Sequence, residues 1–331
     1  MTQPYEVELI EEESLKAEAY VLRDAATGAE ARVAPSFGHN LYTFRVPIRG
    51  RPLEVMLGPD PDASPGFRFG NPILFPYPNR VRAGRFSFRG KQYQLDVNAS
   101  GNAIHGLVAA LPWRVEAAAP TADGARVSAY VVSEEHPDVF RQFPFPFRIT
   151  LAYTLKGDTV RLDAEAGNMG REPMPMGFGI HPWFALPLNP AGRREDCLVR
   201  VPAGRQWELD ATLVPTGRVM PVPPARDFRR LRSLGDHELD DVYTGVELAD
   251  GVSECVLRDP SAGAEVVVRA DARFREWVVY APRGRSTICF EPYTCTTDAL
   301  NLQPRGIDAG LVVLEPGETW RGAIWFTVRP I

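Results

Sequence analysis

His181 lies in the run GFGIHPWF (177–184), between small or apolar residues and a proline followed by two aromatics. Glu291 lies in STICFEPYTC (286–295), a carboxylate in an otherwise apolar, β-prone run. A titratable side chain in a segment that reads as buried strand is either paired or functional. A histidine and a glutamate of this kind can form one acid/base pair. Such a pair moves protons without a metal and without a nucleophile, which points to proton-transfer chemistry on a small polar substrate. Pro182 stiffens the backbone after His181, and Trp183 and Phe184 supply apolar walls.

Other polar groups join them. In FPYPNRVRAGRF (75–86), two prolines make a rigid, extended lead-in to Asn79 and Arg80. Arg80 would present a planar donor fork to hydroxyls or a carboxylate, whereas Arg82 and Arg85 read as surface residues. His105 follows apolar residues and precedes a glycine in NAIHGLV (102–108). In ELDDVYTG (238–245), Asp240 and Asp241 sit between Leu239 and Val242. An ionised carboxylate only accepts hydrogen bonds, which suits sugar hydroxyls. The other histidines, His39, His136 and His237, fall in turn-like or polar stretches and read as unremarkable. No H-x-H, H-x-x-x-H or H-E-x-x-H spacing occurs, so no metal site is expected. Walker, G-x-S-x-G and glycine-rich phosphate motifs are also absent.

These residues must be positioned by strands. Period-two alternation recurs in YEVELI (5–10), LYTFRV (41–46), ARVSAYVV (125–132), FRITLAYTL (147–155), AEVVVRA (264–270), EWVVYAP (276–282) and GAIWFTV (322–328). Each such run predicts a strand with one buried face. The 31 prolines and 28 glycines imply many turns and little long helix. Residues 225–241, after PVPP, read as a long loop. With no repeat and no composition break, the 331 residues are expected to form one large all-β domain (1–331) of two packed sheets.

Composition narrows the partners. A formal charge of −5 makes nucleic acid a poor partner. The four cysteines lack C-x-x-C spacing and are expected to be free thiols. The N-terminal run has no basic stretch followed by an apolar one, and no segment reaches the ~18 apolar residues of a membrane span. A cytoplasmic location and a monomer or homodimer are the expectations.

Taken in order, the motifs resemble those of the aldose 1-epimerase (galactose mutarotase-like) family. FPYPNRVRAGRFSFRGKQYQL (75–95) is similar to its N-R segment. NAIHGLV followed by Trp113 resembles its H-G motif, and GIHPWFAL (179–186) its H-x-Y-F segment. LVPTGRVMPV, LDDVYTG, FEPYTCTTDALN and GLVVLEPGETW resemble, in turn, its P-T-G, aspartate, glutamate and L-x-P-G-E stretches. The resemblance spans most of the chain. It implies a β-supersandwich, with large antiparallel sheets packed face to face and a concave site. It also implies His181 as catalytic acid and Glu291 as catalytic base, with Arg80, His105 and Asp240 binding substrate. Asp240 aligns with the family aspartate, and Asp241 is its immediate neighbour. Trp183 replaces the tyrosine of the galactose-specific branch, so mutarotation is better supported than galactose as the sugar.

The implied reaction opens a cyclic hemiacetal. One group takes the proton of the C1 hydroxyl while another protonates the ring oxygen, and the steps reverse on the other face after rotation. Each positioned acid or base contributes about 10²–10⁴-fold, so two groups suffice without a cofactor. The histidine is expected to start charged, held so by a carboxylate, with the pair roughly 5–8 Å apart across a monosaccharide ring. Asn79 and Trp183 complete the expected binding set, Trp183 against an apolar sugar face. Three other readings stay open. These are a non-catalytic sugar-binding protein, a glycoside hydrolase using Asp240 and Glu291, and a mutarotase of a phosphorylated or sulfonated sugar.

Overall fold

The computed structural model describes residues 4–59 and 69–331. Strand makes up about 52% of the chain and helix 9%, so the fold is all-β, as the alternating runs predict. Each of those runs forms a strand, EWVVYAP as far as Ala281. The expectation of one domain over 1–331 also takes in residues 1–3 and 60–68, which lie outside the described residues.

Three antiparallel sheets carry the architecture. A five-stranded meander runs from Tyr5–Glu12 to Arg51–Glu54. A nine-stranded sheet has Arg114–Thr121 at one edge and Arg232–Ser233 at the other. The long C-terminal strand Thr319–Pro330 lies at its centre, between Thr159–Asn168 and Ala264–Asp271. The site is built on the third sheet, of eight strands. In chain order these are β1 (Ile73–Leu74), β2 (Gly179–Ile180), β3 (Trp183–Ala185), β4 (Ala203–Leu209), β5 (Pro215–Pro221), β6 (Leu239–Val246), β7 (Glu276–Ala281) and β8 (Thr287–Tyr293). Their spatial order is β5-β4-β6-β7-β8-β2-β1, with β3 also paired to β8.

Period two sorts the side chains of this sheet. Leu239, Tyr243, Trp277, Val279, Ala281, Ile288 and Phe290 point into the main core, where they meet Leu151, Leu162, Val266 and Phe326 of the nine-stranded sheet. Phe184 of β3 contacts Phe326 directly, with ring centroids 6.2 Å apart. Burying each such side chain contributes roughly 1.5–3 kcal/mol. That burial locks the register, because a one-residue slip would turn Glu291 into the core and Phe290 out of it.

The alternate residues face the other way. Val242, Val278 and Tyr293 form a second apolar cluster with Trp207, Leu302 and Ala309, beside the short helix Ala299–Leu302. Residues 225–238 are largely loop, with one 3-10 turn at Pro224–Arg226 and the two-residue strand Arg232–Ser233. His39 departs from its sequence reading. Its backbone is left-handed (φ 51°), yet its ring is fully buried, 5.9 Å from Trp113 and 5.4 Å from Tyr153. The aromatic partners come from distant parts of the chain, which a local reading cannot see.

Candidate active site

Cross-strand register assembles the site. In antiparallel pairs, directly opposed residues project to the same face. Asp240 of β6 opposes Tyr280 of β7, Tyr280 opposes Cys289 of β8, and Cys289 opposes Trp183 of β3. One row along, Val242 opposes Val278 and Val278 opposes Glu291. Asp240, Tyr280, Trp183 and Glu291 therefore share one surface. Asp241 points to the other face and is ion-paired with Arg226 at 2.6 Å. The register thus separates the two neighbouring aspartates, which the sequence alone leaves adjacent.

A two-stranded ribbon closes the opposite side. Arg80–Val81 pairs with Ala103–Ile104, bringing the N-R and H-G segments together. Asn79 and His105 both adopt left-handed backbone (φ 55° and 64°), and the His105 amide donates to the Asn79 carbonyl at 2.8 Å. Asparagine tolerates this conformation because its short amide bonds locally; here Oδ1 accepts from the Arg80 amide and from Arg80 Nη1, both at 2.9 Å. Gly106 is required by contact. A Cβ there would lie 2.3 Å from the Phe75 carbonyl oxygen. The segment after Glu291 braces the ribbon, since the Asp298 amide donates to the Arg80 carbonyl and Asp298 Oδ1 accepts from the Arg82 amide.

The result is a cleft of about 450 Å³ lined by Asn79, Arg80, Ile104, His105, His181, Trp183, Asp240, Val278, Tyr280 and Glu291. That volume suits a small ligand. All seven residues singled out in the sequence lie in it. Ile104, Val278 and Tyr280 were not singled out. Their strands are legible, but only register shows that Tyr280 faces Asp240. A larger groove of about 770 Å³ lies elsewhere, lined by Arg229, Arg230, Arg232 and Asp227. Its Arg229 is neutralised by Asp227 at 2.7 Å, and no buried polar group points into it.

His181 and Glu291 are in direct contact. Nε2 and Oε1 are 3.3 Å apart, and the side chains are 8% and 1% exposed. The pair does not straddle a ring-sized gap, as the sequence reading expected. The two oxygens that exchange protons in anomer exchange are bonded to the same carbon, so the two groups need not be separated. Trp183 stacks on the His181 ring at 4.7 Å, and His105 meets its edge at 5.2 Å.

Burial governs the protonation states. It pushes His181 down to about 3 and pushes Glu291 well above the usual carboxylate range. A charged histidine was expected. Burial instead works against charge on either member of the pair, lowering the imidazole and raising the carboxyl. His105 is likewise held neutral, by burial and then by His181 and Arg80. Burial also raises Asp240, against the pull of Arg80.

His181, Cys289 and Glu291 form the one group of possible metal ligands among the described residues, with ligand atoms within 4.8 Å of one another. Burial, reinforced by Glu291, raises the Cys289 thiol well above its ordinary range. Metals bind the thiolate, so a cation would have to displace that proton. The four cysteines are free and buried. No helix among the described residues is long and apolar enough to cross a membrane.

Residues 19–327 match the aldose 1-epimerase family profile. The chain belongs to the aldose 1-epimerase family. The uncharacterised protein YihR of Escherichia coli K12 is 27% identical over 255 residues, 75% of this chain and 76% of that protein. Human galactose mutarotase is 28% identical over 166 residues, and this match spans about half of each protein, 49% and 46%. Among solved structures, a galactose mutarotase-like protein of Clostridium acetobutylicum superposes with a TM-score of 0.88 at 21% identity, over 100% of both chains. Galactose 1-epimerase of Lactobacillus acidophilus superposes with a TM-score of 0.76 at 18% identity, over 98% of this chain and 99% of that one. The β-supersandwich is common to them.

Proposed function

We propose that this member of the family is a mutarotase, an isomerase that exchanges the α and β anomers of a neutral free aldose. The observation that carries the reading is the buried contact between His181 and Glu291 in a cleft lined by groups able to bind hydroxyls. The pair holds one proton. The partner that bears it protonates the ring oxygen while the other takes the proton of the C1 hydroxyl, and the C1–O5 bond breaks. Rotation about C1–C2 presents the other face of the aldehyde. Reclosure then returns both protons, so the pair ends as it began. Arg80, Asn79, His105 and Asp240 orient the sugar, and Trp183 and Tyr280 supply its apolar walls.

Charge favours a neutral substrate over a phosphorylated or sulfonated one. Arg80 is the cation among the residues lining the cleft, and it faces both Asp240 and Glu291. Arg82 is exposed and tied to Asp210 at 2.6 Å, and Arg85 is exposed and bonded to Gln94. Neither adds positive charge to the cleft. Polarimetry on freshly dissolved aldoses, followed by anomeric-exchange NMR on a sugar panel, tests the reading. Binding without exchange would leave a sugar-binding protein. Release of p-nitrophenol from aryl glycosides would favour a hydrolase using Asp240 and Glu291.

A further inference from the structure

Tyr293 is fully buried, lies two residues beyond Glu291 on β8, and has no part in the substrate contacts above. At period two the side chains of residues 291 and 293 project from the same face. The Tyr293 hydroxyl donates to Glu291 Oε2, the oxygen turned away from His181. The same hydroxyl also interacts with the side chain of Asn79, which in turn accepts from Arg80. One unbroken chain of polar contacts therefore runs from Arg80 through Asn79 and Tyr293 to Glu291.

The ring is held as firmly as the hydroxyl. Tyr293 opposes Gly179 across β8 and β2, and a Cβ at residue 179 would lie 2.3 Å from Tyr293 Cδ1. The ring thus lies close against bare backbone, two residues before His181. Val242, Val278 and Trp207 pack in the same cluster. The glycine of the G-I-H run is explained by this contact, and one packing arrangement sets both members of the pair.

We propose that Tyr293 is a positioning residue for anomer exchange, aiming Glu291 Oε1 at the reacting oxygens by binding Oε2 and linking the carboxyl to Asn79 and Arg80. The inference rests on the reading of His181 and Glu291 as the acid/base pair. The charged and titratable groups facing Glu291 are His181, Asp240, Arg80, Cys289 and Tyr293 itself. Of these, Tyr293 is the one whose hydroxyl donates to the carboxyl, and its bond favours the ionised form.

The test is Tyr293→Phe, which keeps the ring and removes the hydroxyl. Expected are a fall in kcat of about 10- to 100-fold with KM nearly unchanged, as for a bond lost to the carboxylate that forms when Glu291 gives up its proton. The alkaline limb of the pH–rate curve should move up by about one unit, with the acid limb in place. In a Glu291→Gln background the same change should cost almost nothing further. Replacing Tyr293 with 3,5-difluorotyrosine keeps the fold and strengthens the donor, and should move the alkaline limb down. A ¹³C-glutamate NMR titration, with the Glu291 carboxyl assigned by Glu291→Gln, reads the same two shifts without turnover. If those shifts occur in a protein that turns over no aldose, the mutarotase reading fails, and with it a role in anomer exchange, while the control of Glu291 by Tyr293 stands. Wild-type kcat and an unmoved Glu291 titration in both variants would overturn the proposal.

Discussion

His181 Nε2 and Glu291 Oε1 meet at 3.3 Å although the residues are 110 positions apart, and neither side chain is more than 8% exposed. The contact arises because β3 and β2 both pair with β8, so the turn carrying His181 is folded over the strand carrying Glu291.

Removing either member of the pair should stop proton exchange while leaving the cleft intact. Glu291→Gln and His181→Asn are each expected to lower kcat by about 10²–10⁴-fold, with a smaller effect on KM. The double variant should be little worse than the worse single one. Glu291→Gln retaining full activity in anomeric-exchange NMR would exclude the mechanism.

The pH–rate curve should be a broad bell. Activity needs the pair to hold one proton. A second proton arrives only as pH falls below the ordinary histidine range, because burial pushes His181 down to about 3. The single proton leaves only above the ordinary carboxylate range, because burial pushes Glu291 up. The two limbs belong to the pair and not to either residue. A narrow bell, with its acid limb near pH 6.5, the ordinary histidine value, would show instead that the resting histidine is readily charged.

Substrate charge should matter. A neutral hexose is expected to exceed its 6-phosphate or 6-sulfonate in kcat/KM by at least about tenfold, since an added anion would enter a buried cleft beside Asp240, with Arg80 as the facing cation. Asp240→Asn should narrow that ratio. A faster anionic sugar in the same panel would reverse the assignment.

Metal removal should change nothing. Dialysis against EDTA is expected to leave anomer exchange at its starting rate, because the acid/base pair supplies both proton transfers. Activity lost on chelation and restored by zinc would make His181, Cys289 and Glu291 a metal centre.

Acid should destabilise the fold partly through His39. Burial holds this ring neutral, with its pKa pushed down to about 3. The unfolded chain takes up a proton near pH 6.5 and the folded one does not. Stability is therefore full above that pH and falls by about 1.4 kcal/mol per unit as pH drops from 6.5 toward 3. His39→Asn, which tolerates the left-handed backbone, should lower Tm through lost stacking and flatten this slope in thermal melts from pH 7 to 4. An unchanged slope would remove His39 from the account.

The sequence by itself determined the strands and the chemistry they carry. Alternation at period two in EWVVYAP and its counterparts reports one buried face, and that is a local property of the chain. The residue types at Asn79, Arg80, His105, His181, Asp240 and Glu291, met in one order, resemble a family whose profile the chain matches. Tyr293 was also within reach, since period two places it on the face of Glu291. Register, long-range packing and burial belong to the tertiary structure. Pairing of β6 with β7 turned Asp240 to the cleft and Asp241 to Arg226. Packing by residues distant in the chain buried His39, which reads locally as a turn residue. Burial also lowered His181 and raised Glu291, against the charged histidine expected, because the cost of a buried charge depends on everything around it and not on the residues beside it in the chain.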